Sequence, residues 1–345
     1  MQSQIGQIQL ALMGVGRWGT HLLRNFLAHS QIRVRAVVDP RTDQLATVAQ
    51  KFNLNDTVLL LEQWEDALKI NGLDAVAIAT PATTHATIVT AALKRQLHVL
   101  CEKPLTVTAA TSAALCQLAQ QQNRQLFVDH TYLFHPAITQ AKANLDQLGP
   151  PRYGYAARTN LGPIRHDVDA LWDLAIHDIA IFNHWLGDLP TRVQAQGLGW
   201  LQQGGLADAV WCRLRYASGV ETSIHVCWAN PHRQRQLCLV CDRGSLIFDE
   251  MQSESPLTLT LGHPAPSTFQ PQGLNTVALE VPVQEPLATM CDQFVQTVLT
   301  NQPSPISSGT VGIRLVAILE ALSQSLSQQG PWIALTYPGS LEALG

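Results

Sequence analysis

Gly14-Val15-Gly16-Arg17-Trp18-Gly19 carries three glycines at the spacing of a loop that cradles a pyrophosphate. The first glycine allows a tight turn, and the second lets backbone amides approach the anion. The third lets a following helix pack close to the preceding strand, with its N-terminus stabilising negative charge. Twenty residues on, the apolar run Val34–Val38 ends in Asp39, a carboxylate placed to accept hydrogen bonds from both hydroxyls of a ribose. A second constellation is Glu102-Lys103-Pro104. A lysine directly after a buried strand is partly desolvated and can hydrogen-bond a reacting hydroxyl or carbonyl oxygen, while Pro104 fixes the turn. A strand-end charge that simply faces water is the plain alternative. A third is Asp173 with His177, four apart on a helix expected over Asp167–Leu186. Flanked by Ala170, Ala180 and Ile181, the pair is partly shielded from water, and its imidazole suits general acid–base work. A core histidine satisfied by its own aspartate fits the same pattern. His166, His177 and His184 lack the spacing by which zinc helices hold their metal, so none is expected.

The elements that position these residues alternate in the first half of the chain. Apolar runs at Ile8–Met13, Val34–Val38, Ala75–Ala79, His98–Cys101 and Leu126–Val128 read as strands. Between them, Trp18–Ala28, Thr42–Phe52, Glu62–Lys69, Thr84–Arg95 and Thr108–Gln122 read as helices. That rhythm means an α/β domain with a doubly wound parallel sheet, closing near residue 130 (residues 1–129). Ligands on such sheets bind beyond the carboxyl ends of the strands. Those ends carry Gly14, Asp39, Thr80-Pro81, Glu102-Lys103-Pro104 and Asp129-His130.

The second half, residues 130–345, reads as an α+β domain with an open, largely antiparallel sheet. Ala209–Tyr216 and Val220–Trp228 flank Ala217-Ser218-Gly219 as a hairpin, followed by strands at Arg235–Cys241 and Ser245–Asp249. Gly154–Arg158 and Arg192–Leu198 join the same sheet, and Ser253–Val281 reads as loop with marginal strands. Pro286–Leu299 and Thr310–Ser327 read as helices, one of which can pack back on the first domain. With few helices to cover it, one sheet face is expected to be buried by another subunit, giving a homodimer or homotetramer.

At 345 residues the chain suggests two domains, and 46% hydrophobic against 14% charged residues fits a packed globular protein. A net charge of −4 without a basic block gives no reason to expect nucleic acid or an anionic membrane as partner. The polar start Met1-Gln2-Ser3-Gln4 leaves no room for a signal peptide, and no apolar run approaches membrane-spanning length. Seven scattered cysteines look like small core residues in a reducing compartment, so the cytoplasm is expected.

Taken together, the chain resembles the glucose–fructose oxidoreductase/inositol dehydrogenase family, Gfo/Idh/MocA. The resemblance rests on Gly14–Gly19, Thr80-Pro81 with His85, Glu102-Lys103-Pro104, and Asp173-Leu174-Ala175-Ile176-His177-Asp178. It implies a nicotinamide-dependent oxidoreductase with an N-terminal Rossmann domain and a C-terminal domain on an open antiparallel sheet. Cofactor contacts then fall to Gly14, Val15, Gly16, Arg17, Trp18, Gly19, Asp39, Arg41, Thr80, Pro81, His85, Glu102 and Lys103. Lys103 touches both nicotinamide ribose and substrate, Asp173 orients the substrate hydroxyl, and His177 is the general acid/base. The cofactor is NAD or NADP: Asp39 repels a 2′-phosphate, whereas Arg41 can accept one.

Asp169-Ala170-Leu171-Trp172 stand where the family often has a pair of glycines, which narrows the space over the helix. Asn160-Leu161-Gly162-Pro163-Ile164-Arg165 with Trp172-Asp173 looks like members that handle nucleotide-linked or polysaccharide-precursor sugars. Tyr132, Arg158 and Arg165 are the candidate substrate contacts, the two arginines for an anionic group. The expected activity is oxidation of a secondary hydroxyl on a sugar or sugar derivative. Two alternatives stay open: a non-catalytic dinucleotide- or sugar-binding regulator, and a reductase of an unrelated carbonyl.

Overall fold

The computed structural model describes residues 6–165, 167–201 and 206–338. It divides into two compact units. One comprises the chain through Thr131 with Glu285–Val316, the other Tyr132–Gln284 with Ala317–Tyr337.

The first unit begins β1 (Ile8–Met13), α1 (Arg17–Ala28), β2 (Ile32–Val38), α2 (Thr42–Phe52), β3 (Leu59–Leu61) and α3 (Trp64–Ala67). It continues β4 (Ala75–Ile78), α4 (Ala82–Lys94), β5 (His98–Glu102), α5 (Ala109–Gln121) and β6 (Leu126–Asp129). Every strand pair is parallel, in the order β3-β2-β1-β4-β5-β6. The chain therefore starts mid-sheet, winds outward, and reverses between β1 and β4, which opens a crevice at their carboxyl ends. Strands this apolar need cover on both faces, and Met13, Val38, Ile78, Val99 and Val128 share one buried cluster with Val89 and Leu93 of α4. Two details differ from the sequence expectation. β3 is a strand of three leucines with Leu59 and Leu60 exposed, too short to show a period. The helix expected over Glu62–Lys69 is only the single turn α3.

The second unit opens with a 3₁₀ turn, Thr131–Phe134, whose last three residues it holds, and α6 (Pro136–Asn144). Then come β7 (Pro151–Leu161), a π-helical turn at Leu171–Ala175 and α7 (Ile176–Leu186). Next are β8 (Pro190–Leu198), β9 (Ala209–Tyr216), β10 (Glu221–Cys227), β11 (Ala229–Cys241), β12 (Gly244–Asp249), β13 (Leu257–Pro264) and β14 (Pro271–Ala278). The chain closes with α8 (Pro286–Thr300), α9 (Gly309–Ser327) and β15 (Ile333–Ala334). The sheet runs β14-β13-β12-β11-β7-β10-β9-β8-β15, and among the described residues only β7 with β10 is parallel. The segment expected to be loop, Ser253–Val281, instead forms the β13–β14 hairpin. All eight residues of β14 are exposed, so no inward face marks it in the sequence.

Period-two alternation governs this sheet. Ala195, Cys212, Ile224, Ala156, Leu237, Phe248 and Leu257 lie in one register row and are all buried. α7 presses on the same face: a Cβ at Gly154 would stand 2.7 Å from the Phe182 ring, so only glycine lets the helix seat. On the opposite face Tyr153, Tyr155 and Trp211 remain exposed.

α8 belongs to the first unit, where Phe294 packs against Phe26 of α1 and Phe127 of β6 at ring-centroid distances of 6.5 and 5.7 Å. α9 corrects one sequence expectation. At 19 residues it is long and apolar enough, by those measures alone, to cross a bilayer, yet 61% of the window is buried within the protein. The seven cysteines are unpaired, and all but the half-buried Cys116 are buried.

Candidate active site

Each glycine of the loop after β1 has a separable job. Gly14 has φ +88°, and a Cβ there would meet the Ala79 carbonyl oxygen at 2.6 Å. At Gly19 a Cβ would lie 2.0 Å from the Gly14 carbonyl oxygen, so α1 could not pack on the loop. At Gly16 a Cβ would meet nothing within 4 Å. The protein itself does not require that glycine; the open space suits close approach of a ligand. Gly16 also caps α1 without a side-chain hydrogen bond, and no acidic side chain occupies the first turn. The helix N-terminus thus keeps its positive end for an anion such as a pyrophosphate.

Asp39 ends β2 beside this loop. Its Oδ2 accepts the Val15 amide at 3.1 Å, and Arg41 forks across both oxygens, Nε to Oδ1 at 2.8 Å and Nη2 to Oδ2 at 3.0 Å. Burial alone would raise this carboxyl. The Arg41 side chain and the Val15 and Arg41 amides outweigh it and hold Asp39 below its ordinary value, hence ionised. The Arg41 side chain is itself largely exposed.

Around Lys103 the sheet ends carry further polar groups. Glu102 is buried, and its Oε2 accepts the Lys103 amide at 3.2 Å. Burial first, then the charge of neighbouring Asp129, pushes the Glu102 carboxyl well above its ordinary value. Asp129 pairs with Glu102 across β5 and β6 and accepts the Trp18 indole N–H at 3.0 Å and the Thr131 hydroxyl. Trp18, expected as a cofactor contact, therefore ties α1 to the end of β6. The sequence reading placed Asp129 at the carboxyl end of a strand without giving it a role; here it closes β6 as Asp39 follows β2. His130 is buried, and neither ring nitrogen has a hydrogen-bond partner among the described residues. Burial, then the Lys103 charge, lowers it to about 3. His85 is also buried, with Nδ1 3.0 Å from the Pro104 carbonyl oxygen and Nε2 3.0 Å from that of Thr80. It bridges the loops after β4 and β5, so the sequence-marked Thr80-Pro81 and Lys103-Pro104 are linked through this ring.

In the second unit, Asp173 lies in the π turn and His177 in the first turn of α7. One continuous α-helix over Asp167–Leu186 was expected. The π turn replaces its regular spacing where the carboxylate sits, a distortion frequent at functional sites. Asp169 accepts the Trp172 amide at 3.0 Å and Trp172 Nε1 donates to Ser323 Oγ at 2.8 Å, fixing the turn. Arg165 pairs chiefly with Asp167, at 2.6 Å, and reaches Asp173 Oδ1 at 3.4 Å. His166 lies outside the described residues.

The anion that meets Arg158 is the chain's own. This arginine is 0% exposed, with Nη2 2.6 Å and Nε 3.1 Å from Asp178 Oδ1. Burial opposes its charge, but Asp178 beside it holds the guanidinium firmly protonated. The sequence suggested Arg158 for a substrate anion; the buried pair corrects that. The signal was in the pattern, because Arg158 falls on the inward face of β7. Tyr132 is likewise engaged within the protein. Its hydroxyl donates to Glu250 Oε2 at 2.9 Å and accepts from Arg235 Nη1 at 3.1 Å. Glu250 and Arg235 were not singled out in the sequence, where nothing marks two residues of distant segments as partners.

A doubly wound sheet with this glycine loop and a carboxylate after its second strand defines a dinucleotide-binding Rossmann fold. Residues 8–130 match the model of the Gfo/Idh/MocA oxidoreductase family, NAD-binding Rossmann fold, and residues 137–247 match the Gfo/Idh/MocA C-terminal domain. The chain belongs to the Gfo/Idh/MocA family of oxidoreductases. It is 26% identical over 314 residues to UDP-N-acetylglucosamine 3-dehydrogenase of Acidithiobacillus ferrooxidans, covering 90% of this chain and 94% of that one. Over 242 residues it is 26% identical to scyllo-inositol 2-dehydrogenase (NAD(+)) of Bacillus subtilis, covering 66% and 69%. A crystal structure of a candidate oxidoreductase from Magnetospirillum magnetotacticum MS-1 superposes with a TM-score of 0.79 at 30% identity, over 92% of this chain and 100% of that one.

Proposed function

We propose that this oxidoreductase removes hydride from the carbon bearing a secondary hydroxyl of a sugar or polyol, including a nucleotide-linked sugar. The observation that carries the reading is the carboxylate–imidazole pair Asp173 and His177 at the π turn opening α7, in a chain whose other unit holds the glycine loop. Relatives named as a UDP-N-acetylglucosamine 3-dehydrogenase and a scyllo-inositol 2-dehydrogenase support a polyhydroxy substrate. When bound, NAD(P) supplies the hydride acceptor.

The chain's own groups do the rest. His177 takes the hydroxyl proton, Lys103 stabilises the developing alkoxide by a charged hydrogen bond, and Asp173 holds a neighbouring hydroxyl. The amides of Gly16 and the first turn of α1 receive the pyrophosphate. The ionised Asp39 receives the adenosine ribose diol and disfavours a 2′-phosphate, so NAD is preferred. Should Arg41 swing away from Asp39, NADP would be admitted. We place this chemistry in the cytoplasm, in a homo-oligomer assembled through the exposed face of the nine-stranded sheet.

Incubating the protein with NAD or NADP and a panel of inositols, aldoses and UDP-sugars tests the reading. Reduced nicotinamide should accumulate steadily with at least one sugar. Tight dinucleotide binding without turnover on any of them would favour a binding protein on the same scaffold.

A further inference from the structure

Tyr132, Arg158, Asp178 and His177 form a closed circuit in the second unit. The Tyr132 and His177 rings lie 4.9 Å apart between centroids at an interplanar angle of 56°. The Arg158 guanidinium carbon stands 4.3 Å from the Tyr132 centroid. Arg158 is clamped by Asp178, the residue that follows His177 on α7. The circuit thus runs from the imidazole through the tyrosine ring and the arginine back to the helix that carries the imidazole.

We propose that Tyr132 is the positioning residue for His177, setting the orientation of its ring from a seat fixed at three points. The tip is fixed because the hydroxyl donates to Glu250 and accepts from Arg235, so the ring cannot slide along its own axis. The Arg158 cation fixes the ring itself. Its Nη1 finds no hydrogen-bond acceptor among the described residues while the guanidinium lies against the π system, an arrangement whose attraction grows when water is excluded. The backbone is fixed by the 3₁₀ turn Thr131–Phe134. A wall so restrained narrows the tilts open to the imidazole it touches, and orientation of this kind governs how well a base meets its proton. Packing alone needs no buried guanidinium: an apolar side chain of similar volume serves a core as well or better. The circuit makes Tyr132 a support for His177 and gives Arg158, Glu250 and Arg235 a common task.

This rests on the proposed acid–base role of His177, and the experiment separates the two. Tyr132→Phe and Tyr132→Leu are each made alone and in a His177→Ala background, and kcat and KM are measured with the sugar and dinucleotide that turn over. Tyr132→Leu should lower kcat by ~10- to 100-fold while leaving the KM for dinucleotide unchanged. Tyr132→Phe, which keeps the ring, should restore most of that loss. In the His177→Ala background neither change should lower the residual rate further. A raised sugar KM with kcat intact in Tyr132→Leu would overturn the proposal, making Tyr132 a direct substrate contact. So would a Tyr132→Leu defect of undiminished size without His177. If His177→Ala itself turns over normally, the acid–base reading fails instead. Should Tyr132→Leu not fold, proton NMR of the wild-type protein decides. The His177 ring protons should show Overhauser contacts to the Tyr132 ring, and their absence overturns the proposal.

Discussion

Glu102 shows how one side chain beside a site links fold stability to pH. Its carboxyl is buried, lies beside Asp129, and is pushed well above its ordinary value, with the Lys103 charge opposing the shift only in part. The folded state therefore keeps a proton that the unfolded chain releases once pH exceeds the usual glutamate range. Between those two values the unfolded chain binds fewer protons, so stability falls as pH rises. Glu102→Gln keeps the shape and removes the charge. We expect it to melt higher than wild type above neutral pH, with a flatter dependence of Tm on pH. Thermal melts of both proteins from pH 5 to pH 9 check this; a variant that melts lower throughout would contradict it. Asp39 is the opposite case. Arg41 and two backbone amides keep it ionised despite burial, which is what hydrogen bonding to a ribose requires.

At the scale of elements, what the sequence disclosed depended on periodicity and burial. The first sheet was legible because apolar runs such as Ala75–Ile78 and His98–Glu102 alternate with helices whose buried residues recur at helical spacing. β3 and β14 were not. One is three residues long and the other is exposed throughout, so neither has an inside to alternate with. The π turn was hidden for another reason: Leu171–Ala175 has the composition of an ordinary helix, and its geometry comes from surrounding contacts such as Trp172 to Ser323. Glycine positions were legible in full mechanical detail at Gly14 and Gly19, where any Cβ would collide with backbone. Long-range polar pairings were the hardest. That Arg158 would meet Asp178, or that Tyr132 would meet Glu250, is fixed by strand register and helix placement rather than by any local motif.

At the scale of the whole molecule, the nine-stranded sheet buries one face under its own helices and leaves Tyr153, Tyr155 and Trp211 exposed on the other. Arg213 and Arg215, paired with Glu221, share that face. Aromatic centres flanked by paired charges suit a stable protein interface. Light scattering after size-exclusion chromatography should give a homodimer or homotetramer, and Tyr155→Glu with Trp211→Glu should shift it toward monomer. A monomeric wild type would contradict the assembly. The proposed activity rests on His177 of the second unit as its acid–base group. The most direct test is to compare His177→Ala with the wild-type protein, measuring turnover and NAD affinity on the same preparations. Turnover should fall by ~10²- to 10⁴-fold, the usual contribution of a positioned acid–base group, with dinucleotide affinity unchanged. Turnover within a few-fold of wild type would contradict the account, since the proton would then leave by another route.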